Sequence, residues 1–101
     1  MSQPFELSVT EAATRIRTGE MSPVDLMQSL LARSRPLESD LRIWVTLDED
    51  LALAAARTSE SELDERGPRG PLHGIPVGVK DIYYTEGVKT TACSPIYADF
   101  V

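Results

Sequence analysis

The sequence predicts an α+β fold in which three helices pack against two or more strands. Two segments begin with residues that cap helices, and a third combines an acidic start with a run of alanines. Two further runs are rich in β-branched and apolar residues, which is typical of strands. With 101 residues, the chain is long enough for one domain with a modest hydrophobic core.

The first predicted helix spans residues 9–18. Ser8 and Glu11 have the spacing of a capping box, in which each side chain satisfies a backbone N–H left free at the start of the helix. Gly19 follows the last helical residue and can take the left-handed conformation that ends many helices. We therefore expect a short helix with defined ends.

The second predicted helix spans residues 23–35. Ser22 can cap it, and Pro23 suits the first helical position because that residue needs no N–H partner. Pro36 is expected to end the helix, since the residue before a proline disfavours helical backbone angles.

A third helix is predicted over residues 49–65, between strands predicted at residues 42–47 and 75–80. Alanines favour this helix, and its acidic first turn complements the positive end of the helix dipole. We interpret its many Asp and Glu residues as a solvated face, and we predict no metal site. In both strands, branched or aromatic side chains supply the apolar surface.

Composition limits the classes of function that the chain can have. A net charge of −6 argues against nucleic acid or an anionic membrane as a partner, because both bind basic patches. No apolar run has the roughly 18 residues of a membrane span, and the first residues lack the pattern of a secretory signal. Cys93 is the single cysteine and cannot form an internal disulfide. We therefore expect a cytoplasmic protein with no nucleic-acid partner, no membrane partner and no cofactor.

The segment GPLHGIPVGVKD, residues 70–81, contains the candidate catalytic residue Lys80. Pro76 and Gly78 lie on the same face of the predicted strand and are small enough to leave room for a ligand. Burial disfavours the charged form of a lysine, and a neutral lysine can act as a general base that activates a serine. From spacing alone, the commoner alternative is a solvated surface lysine at the end of a strand.

This segment and the later EGVKTTACS, residues 86–94, resemble the amidase signature family. The segments TEAATRIRTGEMSPVDLMQSLLARSR and IWVTLDEDLALAAAR are similar to the opening helices of that family and to its next strand and helix. The resemblance covers nearly the whole chain. It implies that residues 1–101 form a single partial domain, the N-terminal portion of an amidase domain, whose strands would join a larger mixed sheet.

The resemblance also implies that Lys80 is the base of a Ser–cis-Ser–Lys triad in a hydrolase of carboxamide C–N bonds. Both serines of the family lie in a Gly/Ser-rich segment downstream of the lysine, and residues 1–101 contain no such segment. We therefore expect the chain alone to be inactive, and to associate with the missing C-terminal portion or with itself. A small-molecule amide is the expected substrate of the complete enzyme.

Other reactive side chains have simpler interpretations. Ser94 follows Lys80 too closely to match either serine of the family. Cys93 is expected to be a buried small side chain rather than a nucleophile, and His73 a hydrogen-bonded loop residue rather than a catalyst. Core or sheet-edge positions are expected for three aromatic residues, Trp44, Tyr83 and Tyr84.

Two alternatives to a free-standing amidase stay open. The first is a piece similar to the amidase-family component of a tRNA-dependent amidotransferase. The second is a non-catalytic α+β module that binds a protein partner, with Lys80 as a surface charge. We favour the free-standing enzyme, because nothing in the chain is basic enough to suggest a tRNA partner.

Overall fold

The fold of the chain is helical in the part that its computed structural model describes, residues 3–80 and Tyr83. A 3₁₀ helix is followed by three α-helices with these bounds: 3₁₀ helix, Pro4–Glu6; α1, Val9–Thr18; α2, Pro23–Leu41; α3, Glu49–Arg66. None of the described helices is both long enough and apolar enough to cross a membrane.

α2 packs against α3 and also against the 3₁₀ helix. At the 3₁₀ helix, the Phe5 N–H donates to Ser29 Oγ at 3.0 Å, and the Arg33 guanidinium lies 5.5 Å from the centre of the Phe5 ring. At α3, Arg35 Nε donates to Glu49 Oε1 at 2.9 Å. Polar contacts at both neighbours therefore supplement the apolar packing of α2.

The helix starts predicted from the sequence are present. Ser8 Oγ accepts the Glu11 N–H and Glu11 Oε1 accepts the Ser8 N–H, each at 3.1 Å. Ser22 and Asp25 form a second capping box at the start of α2, with distances of 3.0 and 3.2 Å. Gly19 ends α1 with a left-handed φ of 83°. The bounds of α1 are therefore those that the sequence predicts.

α2 is longer than the predicted helix, because it continues beyond Pro36. A proline inside a helix removes one backbone hydrogen bond and crowds the preceding turn. Two contacts lie near the proline: Arg35 forms an ion pair with Glu49 of α3, and Glu38 Oε1 accepts the Trp44 N–H at 3.0 Å. α2 ends at Leu41, where Arg42 takes a left-handed φ of 47° and its N–H donates to the Glu38 carbonyl.

The α+β prediction is wrong for the described residues, which form helices and no strand. The predicted strands at residues 42–47 and 75–80 have no regular secondary structure. β-propensity reports how well a side chain fits the half-buried pleated surface that neighbouring strands create. No described segment pairs with either run, and Ile43 and Val77 are 62% and 74% exposed. Without a partner strand, a β-branched sequence does not by itself produce a strand.

The hydrophobic core lies where α1 meets the start of α2. Its buried members are Ala12, Ile16, Met21 and Leu26, and the side chains that pack around them are Leu7, Leu30, Leu63 and Ile75. Fully burying one aliphatic side chain contributes about 1.5–3 kcal/mol. Ile75 follows α3 in the chain, so the core also holds the start of the segment that leads to Lys80.

Candidate active site

A turn connects α3 to residues 75–80, called here the Lys80 segment. Within the turn, the His73 N–H donates to the Gly70 carbonyl at 3.3 Å, and the Ile75 N–H donates to the Leu72 carbonyl at 3.0 Å. These short-range bonds reverse the chain after α3 and direct the Lys80 segment towards the core.

His73 connects this turn to α3 through both of its ring nitrogens. Nδ1 accepts the Arg69 N–H at 3.2 Å, and Nε2 lies 2.7 Å from the Ser59 carbonyl oxygen. Because Nδ1 is an acceptor, the proton of the neutral ring is on Nε2 and is donated to Ser59. His73 is therefore a hydrogen-bonded loop residue, as the sequence predicts, with one bond inside the loop and one to α3.

Gly74 packs against the start of α2 with no room for a side chain. Its φ is 81°, a left-handed value that glycine adopts at little cost. A Cβ at this position would lie 2.8 Å from Pro23 Cγ and 3.5 Å from Ile16 Cδ1. Pro23 and Ile16 are both fully buried, so neither can move away freely. The turn is therefore in direct contact with the core.

A second contact holds the Lys80 segment farther along. The Trp44 indole lies against the backbone of Gly78, since a Cβ on Gly78 would be 3.2 Å from Trp44 Cη2. Trp44 is 37% exposed, so its ring is shared between solvent and this segment. Together with the packing of Ile75 on the core, this contact supports the segment at two points.

Lys80, the predicted catalytic residue, is exposed at the end of this segment. Its carbonyl oxygen accepts the N–H of Tyr83 at 3.1 Å, and Tyr83 itself is 61% exposed. The described residues therefore leave the lysine side chain open to solvent. Three residues discussed with Lys80 lie outside the described part of the chain: Tyr84, Cys93 and Ser94.

An ion pair also joins the turn to α3, where Arg69 Nη1 lies 2.9 Å from Glu62 Oε2. The hydrogen bond from Arg69 holds the pKa of the Glu62 carboxyl below its ordinary value, with desolvation opposing this effect and the charge of Arg69 adding to it. Glu62 and Arg69 border an open groove of about 450 Å³ that is also lined by Ser59 and Leu72. Among the described residues, no three His, Cys, Asp or Glu side chains are grouped to hold a metal ion.

Two contacts that hold the Lys80 segment cannot be predicted from the sequence. One is the contact of Gly74 with Pro23, and the other is the contact of Trp44 with Gly78. Both join residues that are distant in the chain, whereas local patterns report only on neighbours. The available signal for Gly74 is its place at the end of a Gly- and Pro-rich turn, where glycine often supplies a positive φ.

The amidase family profile matches residues 25–101, which include most of α2, all of α3 and the Lys80 segment. The chain belongs to the amidase signature family. Family membership, predicted from residues 70–81 and 86–94, is thus confirmed.

Relatives in this family include proteins with two different names. The chain is 39% identical over 100 residues to a glutamyl-tRNA(Gln) amidotransferase subunit from Chloroflexus aurantiacus, covering 99% of this chain and 20% of the relative. It is 40% identical over 99 residues to the protein of that name from Myxococcus xanthus, covering 98% and 20%. It is 37% identical over 97 residues to an amidase of Pseudomonas putida, covering 96% and 21%.

The matches show how much of an amidase signature protein this chain represents. It spans about one fifth of the length of the curated relatives that it matches. No solved structure matches the chain. The helices and the Lys80 segment described above therefore correspond to a small part of such a relative.

Proposed function

We propose that this chain forms the N-terminal part of an amidase signature enzyme that hydrolyses a carboxamide C–N bond, with Lys80 as its catalytic base. The observation that carries the proposal is the family match over residues 25–101. The segment GIPVGVKD lies within the matched residues, and it resembles the family motif whose lysine is the base of the triad. The two-point support of the Lys80 segment agrees with this role, because a general base must be held in a defined place.

In the proposed reaction, the neutral amine of Lys80 takes a proton from a serine in a cis peptide. That serine takes the proton of a second serine, whose oxygen bonds to the amide carbon while backbone N–H groups stabilise the oxyanion. The C–N bond breaks, and the leaving nitrogen receives a proton. Water then hydrolyses the acyl-serine ester to release a carboxylic acid and the free serine.

The two serines of this triad would come from a Gly/Ser-rich segment, which residues 1–101 do not contain. We therefore propose that the 101-residue chain does not hydrolyse amides by itself. The exposure of Lys80 among the described residues agrees with this view. Burial disfavours the charged form of a lysine, so the enclosure that favours a neutral amine would come from the rest of the enzyme.

A second candidate is a role like that of the related glutamyl-tRNA(Gln) amidotransferase subunits. It is favoured by the identities of 39% and 40% to proteins of that name, which are as high as the 37% to an amidase. Both candidates use Lys80 in the same way and differ in the fate of the amide nitrogen. Ammonia release at full rate without any added protein or tRNA would support the free-standing amidase.

The proposal is tested by measuring ammonia release from simple carboxamides with the complete gene product. Lys80→Ala should lower kcat by about 10²- to 10⁴-fold, the usual contribution of a general base. Lys80→Arg should be as inactive, because a guanidinium stays protonated and cannot accept the serine proton. Arg57→Ala, which removes an exposed cation from α3, should retain wild-type kcat.

The conservative variant separates the two interpretations of Lys80. If Lys80 were only a surface charge, Lys80→Arg would keep both the charge and the activity. Wild-type hydrolysis in Lys80→Arg would therefore rule out Lys80 as the base. Ammonia release by the purified 101-residue chain, surviving in Lys80→Ala, would contradict the proposal in the same way.

A further inference from the structure

His73 lies seven residues before Lys80 and has no place in the triad proposed above. We propose that His73 is a positioning residue for Lys80: its neutral form, with the proton on Nε2, joins the turn to α3 and so fixes where the Lys80 segment begins. This inference rests on the proposed function, because it concerns the placement of the proposed base.

The contacts of the ring, called here the His73 bridge, connect two different elements. One bond is local, from the Arg69 N–H to Nδ1 at 3.2 Å. The other joins Nε2 to the Ser59 carbonyl at 2.7 Å, across 14 positions of the chain. Ser59 lies within α3, so this second bond ties the turn to a helix that packing against α2 holds in place.

The residues that follow His73 transmit this attachment towards Lys80. Gly74 touches Pro23 at the start of α2, and Ile75 packs on the core. His73 therefore contacts α3, Gly74 contacts α2, and Ile75 contacts the core. Because the Lys80 segment pairs with no described strand, these contacts, rather than a sheet, determine its course.

The charged groups near the bridge leave its hydrogen bonds intact. The Arg69 guanidinium binds Glu62 at 2.9 Å, while the Arg69 backbone N–H donates to His73. Arg66 adds a further positive charge on α3 beside Glu62. The bridge thus depends on a backbone donor and a backbone acceptor, and the side chain that it requires is the imidazole alone.

The chain allows each bond of the bridge to be removed separately. In His73→Gln, the side-chain amide can occupy the place of Nε2 and donate to Ser59, whereas in His73→Asn the amide oxygen can occupy the place of Nδ1 and accept from Arg69. His73→Phe keeps the ring shape and removes both bonds. Leu72→Ala is the matched control, since this neighbouring side chain is exposed and its backbone bonds are retained.

The kinetic test uses the complete gene product and ammonia release. His73→Phe should lower kcat by about tenfold to hundredfold, the effect of a small displacement of a catalytic group. KM should change little, because Lys80 acts on the triad serine and not in substrate binding. His73→Gln should stay within about fivefold of wild type, since it keeps the bond to α3, and His73→Asn should resemble His73→Phe. Wild-type kcat in His73→Phe, in an enzyme that Lys80→Arg inactivates, would overturn the inference.

Two measurements test the bridge without any activity. The ¹⁵N chemical shifts of the His73 ring should show the proton on Nε2, and a proton on Nδ1 would overturn the inference. Exchange of the Ile75 amide, which donates to the Leu72 carbonyl, should be faster in His73→Phe than in wild type or Leu72→Ala, and equal rates would also overturn the inference. If Lys80→Arg keeps full activity, the proposed function fails, while these two measurements still decide whether the bridge holds the segment.

Discussion

Gly74 and Pro23 are in direct contact, since a Cβ on Gly74 would lie 2.8 Å from Pro23 Cγ. This contact joins the turn before the Lys80 segment to the first residue of α2. We expect Gly74→Ala to destabilise the chain by roughly 1–3 kcal/mol, because the new methyl group meets a buried ring and the φ of 81° is unfavourable for alanine. Urea unfolding followed by circular dichroism measures the change.

Gly70→Ala is the control for this experiment. Gly70 belongs to the same turn and does not have a positive φ, and a Cβ at this position would have no heavy atom within 4 Å. We expect its unfolding free energy to equal that of wild type, or to rise by a few tenths of a kcal/mol as the unfolded chain loses freedom. Equal stability of the two variants would show that Gly74 does not pack closely against Pro23.

The capping box at Ser22 should contribute measurably to stability. Ser22 Oγ accepts the Asp25 N–H at 3.0 Å at the start of α2. Replacing this oxygen leaves a backbone donor without its partner, so Ser22→Ala should cost about 1 kcal/mol. Ser61→Ala removes an exposed hydroxyl from within α3 and should have no cost, because alanine favours helix. A similar loss in both variants, measured by urea unfolding, would argue against a specific role for the cap.

The ion pair between Arg35 and Glu49 should make stability depend on acid pH. The hydrogen bond from Arg35 is the main reason that the pKa of Glu49 lies below its ordinary value of 4.5. A carboxyl whose pKa is lowered by folding binds its proton more readily in the unfolded chain. Its contribution is therefore full above about pH 4.5 and is lost as the pH falls through the lowered pKa.

Between neutral pH and pH 3, we expect the free energy of unfolding to fall less in Glu49→Gln than in wild type. Urea unfolding at several pH values measures this difference. Raising the salt concentration should reduce the difference between wild type and variant, because the pair is solvent-exposed and is screened by ions. An identical pH profile for Glu49→Gln and wild type would contradict the role of the pair.

Trp44 should report on the Lys80 segment by fluorescence. It is the single tryptophan of the chain, and its indole lies against Gly78. A Cβ in Gly78→Ala would lie 3.2 Å from Trp44 Cη2, so the ring must shift slightly and its surroundings change. We expect the emission spectrum of the 101-residue chain to change in Gly78→Ala and to stay unchanged in Gly70→Ala. A spectrum of Gly78→Ala identical to that of wild type would show that the two residues are not in contact.

The exposed apolar side chains of the two irregular segments should favour association of the isolated chain. Ile43 and Val77 are more than half exposed, and apolar patches of this kind promote contacts between molecules. Sedimentation velocity should detect species larger than the monomer, and fewer of them in the double variant Ile43→Ser, Val77→Ser. Val9→Ser, at a comparably exposed position on α1, should not reduce association. A monomer at all concentrations would contradict this expectation.

The sequence predicts helix starts well because the necessary interactions are local. The bonds between Ser8 and Glu11, and between Ser22 and Asp25, lie within four residues of each other. Such pairs are visible in the order of residues, and their geometry depends little on the rest of the fold. The same locality makes Gly19 recognisable as the end of α1.

The predicted strands are absent from the described residues because a strand depends on a partner segment and not on local interactions alone. Residues 42–47 and 75–80 have the composition of strands, but a strand exists only if another segment accepts its hydrogen bonds. The end of α2 is also mispredicted, since the helix continues past Pro36, where the sequence predicts that it ends.

For the candidate site, the sequence by itself determined the family and the candidate base, because motif residues around Lys80 are consecutive in the chain. Only the tertiary structure decided what holds that segment: the ring of His73 on Ser59, the contact of Gly74 with Pro23, and Trp44 beside Gly78. These contacts join residues far apart in sequence. Their energies depend on packing in three dimensions, on which the identity of neighbouring residues carries little information.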